Sequence, residues 1–261
     1  MNFRGKSVWV TGASSGIGEA LARGLAQRGC RLILSSRRET ELRRVAGLCS
    51  GAQDVTVLAI DLSRPETMRD AAEQALTIAG HIDVLVHNGG ISQRSYARDT
   101  AFEVDDLLMR TNYLGPVALT KAILPAMLAR RNGHFVVVSS ILGKLAIPSR
   151  SGYCASKHAL HGFFNALRAE LWLEGIQVTL AVPGFVRTNI SINALTGDGT
   201  ALGKMEPDTA AGISPESCAE RILAAAARGD REIVIGRLKE QAAVYMSRLT
   251  PRLFARLVRK R

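Results

Sequence analysis

Seven short runs of β-branched and apolar residues recur along the chain, with helix-length segments between them. No other feature constrains the fold as tightly. The runs are SVWVTG, RLILSS, DVTVLAID, IDVLVHNGG, HFVVVSS, IQVTLAVPG and REIVIG. The segments near 16–28, 38–49, 65–80, 100–130 and 153–174 show helical periodicity instead of strict alternation. Strands apolar on both faces and separated by helices imply a parallel sheet covered on both sides. The chain is therefore expected to form an α/β fold: one doubly wound Rossmann domain over 1–261, with a parallel sheet of about seven strands and helices on both faces. At 261 residues and 47% apolar composition it can bury a core of that size. No linker composition or repeat divides it.

The first strand begins within the opening residues, before any room for a leader, and no apolar run approaches the ~18 residues that span a bilayer. Cys30, Cys49, Cys154 and Cys218 are scattered without disulfide or metal spacing. A soluble, cytoplasmic protein with reduced thiols is the expectation. The net charge is +11, but +7 of it lies in residues 237–261, so the body is no nucleic-acid surface. In the tail, a helical projection places Leu249, Leu253, Phe254, Leu257 and Val258 opposite Arg248, Arg252, Arg256 and Arg259. Packing on the body or a neighbouring subunit is the favoured reading of this amphipathic segment. Peripheral contact with an anionic membrane surface is the alternative. His158 and His161 share a helix face without a third ligand, so no metal is expected. Phe163, Phe164 and Trp172 read as core or subunit contacts. The irregular stretch 188–213 follows the sixth strand, at the sheet end where ligands bind, and is expected to be a substrate lid.

TGASSGIG joins the first strand to a helix through Gly12, Ser14, Ser15, Gly16, Ile17 and Gly18. Such a turn lets backbone N–H groups and the helix dipole approach a pyrophosphate. The second strand would favour NAD(H) if it ended in an acid that read the ribose. It ends instead in Ser36, Arg37 and Arg38, a hydroxyl and two guanidiniums suited to a 2′-phosphate, so NADP(H) is favoured over NAD(H). In YCASK, Tyr153 and Lys157 lie four apart on one helix face. Bringing a phenol from pKa ≈ 10 to near 7 takes about 4 kcal/mol of preferential phenolate stabilisation. Lys157 and an oxidised nicotinamide are the expected sources. Tyr153 then serves as general acid in carbonyl reduction and as base in alcohol oxidation. Ser140, ending the fifth strand, can hold and polarise a carbonyl. Asn112, an unfavourable residue inside a helix, can bind a water that relays protons to Lys157.

These motifs occur in an order that resembles the short-chain dehydrogenase/reductase family from end to end. The match includes TGASSGIG, Asp61 in DL, HNGG for the family's usual NNAG, Asn112, Ser140, YCASK and PGFVRT at 183–188. The resemblance implies that Asp61 and Leu62 meet the adenine and that Asn88, Gly89 and Gly90 form the cofactor floor. It further implies that Pro183, Gly184, Val186 and Thr188 hold the nicotinamide carboxamide. His87 and Gly89 depart from the motif, and Gly89 for Ala is expected to loosen the floor slightly. NGGISQRS and TNISINALTGDG are similar to the subgroup of dehydrogenase/reductase member 7 proteins and related hydroxysteroid dehydrogenases, which implies lipophilic carbonyl or alcohol substrates. A homodimer or homotetramer is implied as well.

The sequence thus supports an NADP(H)-dependent oxidoreductase acting on a carbonyl or secondary alcohol. A non-catalytic dinucleotide-binding module, recruited to a membrane or partner by its basic tail, is the alternative. The intact Asn, Ser, Tyr and Lys set weighs against it. A sugar-nucleotide epimerase would need a larger substrate domain.

Overall fold

The computed structural model describes residues 1–259; of the basic tail, positions 260 and 261 lie outside the described residues. The seven runs form strands β1 (Ser7–Thr11), β2 (Arg31–Ser35), β3 (Asp54–Val57), β4 (Val84–His87), β5 (Gly133–Val138), β6 (Ile176–Pro183) and β7 (Glu232–Ile235). All neighbours pair in parallel, in the order β3-β2-β1-β4-β5-β6-β7. The order reverses between β1 and β4: successive strands are added outward from β1 through β2 to β3, and then on the other side from β4 to β7. This opens a crevice at the carboxyl ends of β1 and β4, the switch point where such sheets bind ligands.

Helices α1 (Gly16–Ala26), α2 (Glu39–Gly47) and α8 (Pro215–Arg228) cover one face. Leu21, Leu25, Leu42 and Ile222 are buried there against Val8, Val10, Leu32 and Leu34. Helices α3 (Met68–Ala79), α5 (Gly115–Ala129) and α6 (Ser151–Glu170) cover the other. Met68, Ile123 and Phe164 bury Trp9, Leu85 and Phe135 there. Burying a side chain of this size contributes about 1.5–3 kcal/mol, so two full layers fix the sheet rigidly. Trp9 is fully buried, yet its indole N–H donates to Ser35 Oγ at 2.8 Å, and that hydroxyl donates to Leu58 O. The polar atoms that accompany this aromatic into the core are thereby satisfied.

The helical periodicity of 100–130 is divided among three elements. These are α4 (Phe102–Met109), a π turn (Arg110–Leu114) and α5. The wide turn carries Asn112. Beyond β6 lie the short helix α7 (Pro207–Ala210) and α8, and after β7 come α9 (Leu238–Leu249) and α10 (Pro251–Val258). The tail is therefore not one continuous amphipathic helix: the chain turns at Thr250, and Pro251 restarts it at the first helical position, where its missing N–H costs nothing. Phe164 is core, as expected, but Trp172 is 73% exposed and is not. It lies just past the end of α6, where the chain turns toward β6.

Candidate active site

A cavity of about 1040 Å³ runs from the first strand–helix turn to the C-terminal helices. The residues singled out from sequence converge on it. All of them line it except Gly18 and Asn112, which stand one layer behind. Its polar end is formed by Ser14, Ser15, Ser36, Arg37, Arg38 and Asp61, and its opposite end by Leu142, Leu145, Ile147, Ile190, Met246 and Phe254.

At the polar end Gly12 has φ +65, and a Cβ there would lie 2.6 Å from Gly89 Cα. A Cβ on Gly18 would lie 2.1 Å from Gly12 O. Only glycine lets these two turns and the helix close up, leaving a bare backbone cradle at the N-terminus of α1. Asn88 holds the cradle from beneath, its Nδ2 donating to Thr11 O at 3.2 Å and Gly12 O at 3.1 Å. Arg38 reaches across from the end of β2 and donates to Ser14 Oγ at 3.0 Å and Ser15 Oγ at 2.9 Å. Ser36 Oγ accepts from Arg38 N, and Arg37 is exposed at the rim. Asp61 accepts from the backbone N–H and hydroxyl of Ser63. A glycine cradle beside a guanidinium fits a dinucleotide phosphate group.

The two departures from the family motif have physical reasons. His87 is buried in the core, pairs through Nε2 with Thr120 Oγ1 at 2.8 Å and stacks near Phe135 and Phe164. Burial pushes it down to about 3, so it stays neutral. Gly89 does not loosen the floor as expected: Leu62 Cδ1 fills the space, 2.5 Å from where a Cβ would stand.

Tyr153 and Lys157 share the inner face of α6. Ser140 begins a 3-10 turn after β5, and its Oγ accepts from Leu142 N at 3.1 Å, which leaves its own proton to donate. Burial pushes the Tyr153 phenol above its usual value, and the neighbouring Ser140 hydroxyl, with Arg94 and Arg150, pulls the other way. Lys157 Nζ lies 5.9 Å from the Tyr153 ring centroid and donates to Val138 O at 3.1 Å. Burial brings it down to about 8. The sequence points to Lys157 as the protein charge acting on Tyr153; in the structure Arg94 and Arg150 are the charges that favour its phenolate. Asn112 differs too. Its Nδ2 donates to Ile91 O and Ser156 Oγ, both at 2.9 Å, and its Oδ1 accepts from Ile91 N. The side chain clamps the β4 turn to α6 with both N–H groups committed, so a relay water at Asn112 would have to donate to one of its oxygens.

Four polar residues here lie outside the motifs that mark the site in the sequence. Gln93 is fully buried, and its Oε1 accepts from Gly152 N at 3.0 Å and Tyr153 N at 3.4 Å. It thus satisfies the start of α6, where Arg150 at the N-cap position offers no side-chain bond. Arg94 and Arg150 both grip Glu206, Arg150 Nη2 at 2.7 Å from Oε1, and so tie the 188–213 segment to the mouth of the site. Leu195 of that segment exchanges backbone bonds with Ser92 and Arg94. The only sequence signal was the stretch NGGISQRS, which contains Gln93 and Arg94.

The family model described as short chain dehydrogenase matches residues 6–198. The chain belongs to the short-chain dehydrogenase/reductase family. This short-chain dehydrogenase is 44% identical to a dehydrogenase/reductase SDR family protein 7-like of Anopheles gambiae, across 100% of this chain and 84% of that one. It is 44% identical to dehydrogenase/reductase SDR family member 7B of Bos taurus, across 99% and 82%. Among solved structures, a short chain dehydrogenase/reductase from Burkholderia phymatum in complex with NAD superposes with TM-score 0.85 at 24% identity, covering 97% of this chain and 96% of that one. A metagenomic short-chain oxidoreductase in complex with NADP gives 0.75 at 28% identity, covering 90% and 98%. The family is one of oxidoreductases whose fold binds a nicotinamide dinucleotide.

Proposed function

We propose that the protein is an NADP(H)-dependent oxidoreductase that moves hydride between the nicotinamide and the carbonyl or secondary alcohol carbon of a lipophilic substrate. One observation carries the reading. Tyr153, Ser140 and Lys157 line a single cavity whose one end joins Arg38 to a glycine cradle and whose other end is apolar.

In this reading the backbone of Gly12–Ile17 takes the pyrophosphate, Arg38 with Arg37 and Ser36 the 2′-phosphate, and Asp61 and Leu62 the adenine. Asn88, Gly89 and Gly90 form the floor, Pro183, Gly184, Val186 and Thr188 take the carboxamide, and Lys157 takes the ribose. The bound nicotinamide supplies hydride in reduction and accepts it in oxidation. Ser140 donates to the substrate oxygen and holds it beside Tyr153. The phenol gives that oxygen its proton in reduction and takes one back in oxidation. The Lys157 ammonium stabilises the phenolate left behind. Asn112 and Gln93 fix the helix that carries both groups. Exposed Phe102, Leu114 and Trp172 support a homodimer or homotetramer.

Consumption of NADPH by the purified protein, measured against a panel of lipophilic ketones, tests this reading. Reduction needs Lys157 charged, and burial sets its pKa at about 8. The ammonium is fully present below that value and lost above it, so the reduction rate falls as pH rises through about 8. Tight NADPH binding with no consumption on any ketone or alcohol would favour the non-catalytic module instead.

A further inference from the structure

Helices α9 and α10 expose an unusual concentration of apolar side chains. Leu238 is 85% exposed, Tyr245 64%, Leu249 78%, and Leu253 and Leu257 50% each. Leu238, Tyr245 and Leu249 fall on one side of α9, and Leu253 and Leu257 stand one turn apart on α10. Next to the α10 leucines, toward the body, Phe254 packs on the cluster of Ile141, Leu145, Val182 and Val244. On their other flank stand exposed Arg252, Arg256 and Arg259. No acidic residue occurs from 241 to 259. A helix with leucines along one edge and arginines along the next has the composition of a segment lying in the plane of a membrane interface.

We propose that α9 and α10 form a docking face for an anionic phospholipid bilayer, and that the cavity opens through this face. Phe254, Leu257 and Val258 of α10, with Ala243 and Met246 of α9, line the cavity at its apolar end. Leu257 belongs to both surfaces. A bilayer seated here covers the exposed leucines, meets the arginines with phosphate and carboxylate headgroups, and leaves an apolar path from lipid to Tyr153. Among the described residues no helix is long and apolar enough to cross a membrane, so contact is in the plane. A second copy is a poorer occupant, because two-fold pairing through this face would set the arginine row against itself in a chain of net charge +11. Nucleic acid would match the arginines but leave the leucines in water.

The test is co-sedimentation of the purified full chain with sucrose-loaded vesicles, an assay that reads nothing of turnover. Vesicles containing phosphatidylserine should retain the protein at low salt, pure phosphatidylcholine should retain far less, and added salt should release it. Arg252→Glu/Arg256→Glu should lower partitioning at least about tenfold. Leu249→Asp/Leu253→Asp should lower it comparably with a nearly unchanged melting temperature, since Leu249 is 78% and Leu253 50% exposed and neither lines the cavity. Retention that is equal for both vesicle types, or unaffected by the leucine pair, would overturn the proposal. So would a leucine pair that splits an oligomer in sedimentation velocity and leaves vesicle binding intact, which would assign the face to self-association.

Discussion

Tyr153→Phe is expected to lower turnover by about a thousandfold or more while leaving NADPH affinity within about twofold, in keeping with the 10²–10⁴ contributed by a positioned acid or base. The substitution isolates the hydroxyl. Tyr153 is 7% exposed and packs with Val104 and Leu108, contacts that a phenyl ring retains. Ser140 keeps its bond to Leu142 N, and Lys157 keeps Val138 O. Nothing that shapes the cradle depends on the lost oxygen, so the melting temperature should hold. The same ketone panel, run with both proteins at saturating NADPH, gives the comparison. Unchanged turnover would place the proton donor elsewhere.

Arg38→Ala is expected to weaken NADPH binding by about 10- to 100-fold and to leave NADH binding nearly unchanged, the span implied by a hydrogen bond to a charged group worth ≈ 1.5–3 kcal/mol. The guanidinium already stands over the cradle through Ser14 and Ser15, so its geometry for a 2′-phosphate is set before the phosphate arrives. Arg37 and Arg38 are both exposed, but it is Arg38 that is held on the cradle by hydrogen bonds, so Arg37→Ala should cost only a few-fold. Paired titrations by nicotinamide fluorescence measure all six affinities of the wild type and the two variants. Equal wild-type affinity for the two cofactors would refute the 2′-phosphate role and leave Arg38 as a brace on the cradle.

Much of this was legible in the chain because its signals are local. The seven strands announce themselves as short apolar runs, and Gly12, Gly18, Tyr153 and Lys157 sit in motifs whose spacing alone defines a turn or a helix face. Asn112 was legible as an anomaly, but its partners Ile91 and Ser156 lie on other elements, so its role as a clamp was not. Glu206 meets Arg94 and Arg150 across more than fifty residues of chain, and no periodicity encodes such a meeting. Gly89 in the sequence implies a loosened floor, but Leu62, from another element, fills the space. The break at Thr250 was only half visible: Pro251 marks where a helix starts, but not that another has just ended.

The central claim is that hydride passes between nicotinamide C4 and a carbonyl carbon held by Ser140 and Tyr153. The most direct measurement uses NADPH carrying deuterium at C4, reacted with the ketones of the panel, and mass spectrometry of the alcohols formed. The account predicts one deuterium on the carbinol carbon, from one face of the nicotinamide only, and none in the Tyr153→Phe reaction over the same time. Alcohol formed without deuterium from either face, or tightly bound NADPH that yields no alcohol from any ketone, would contradict it.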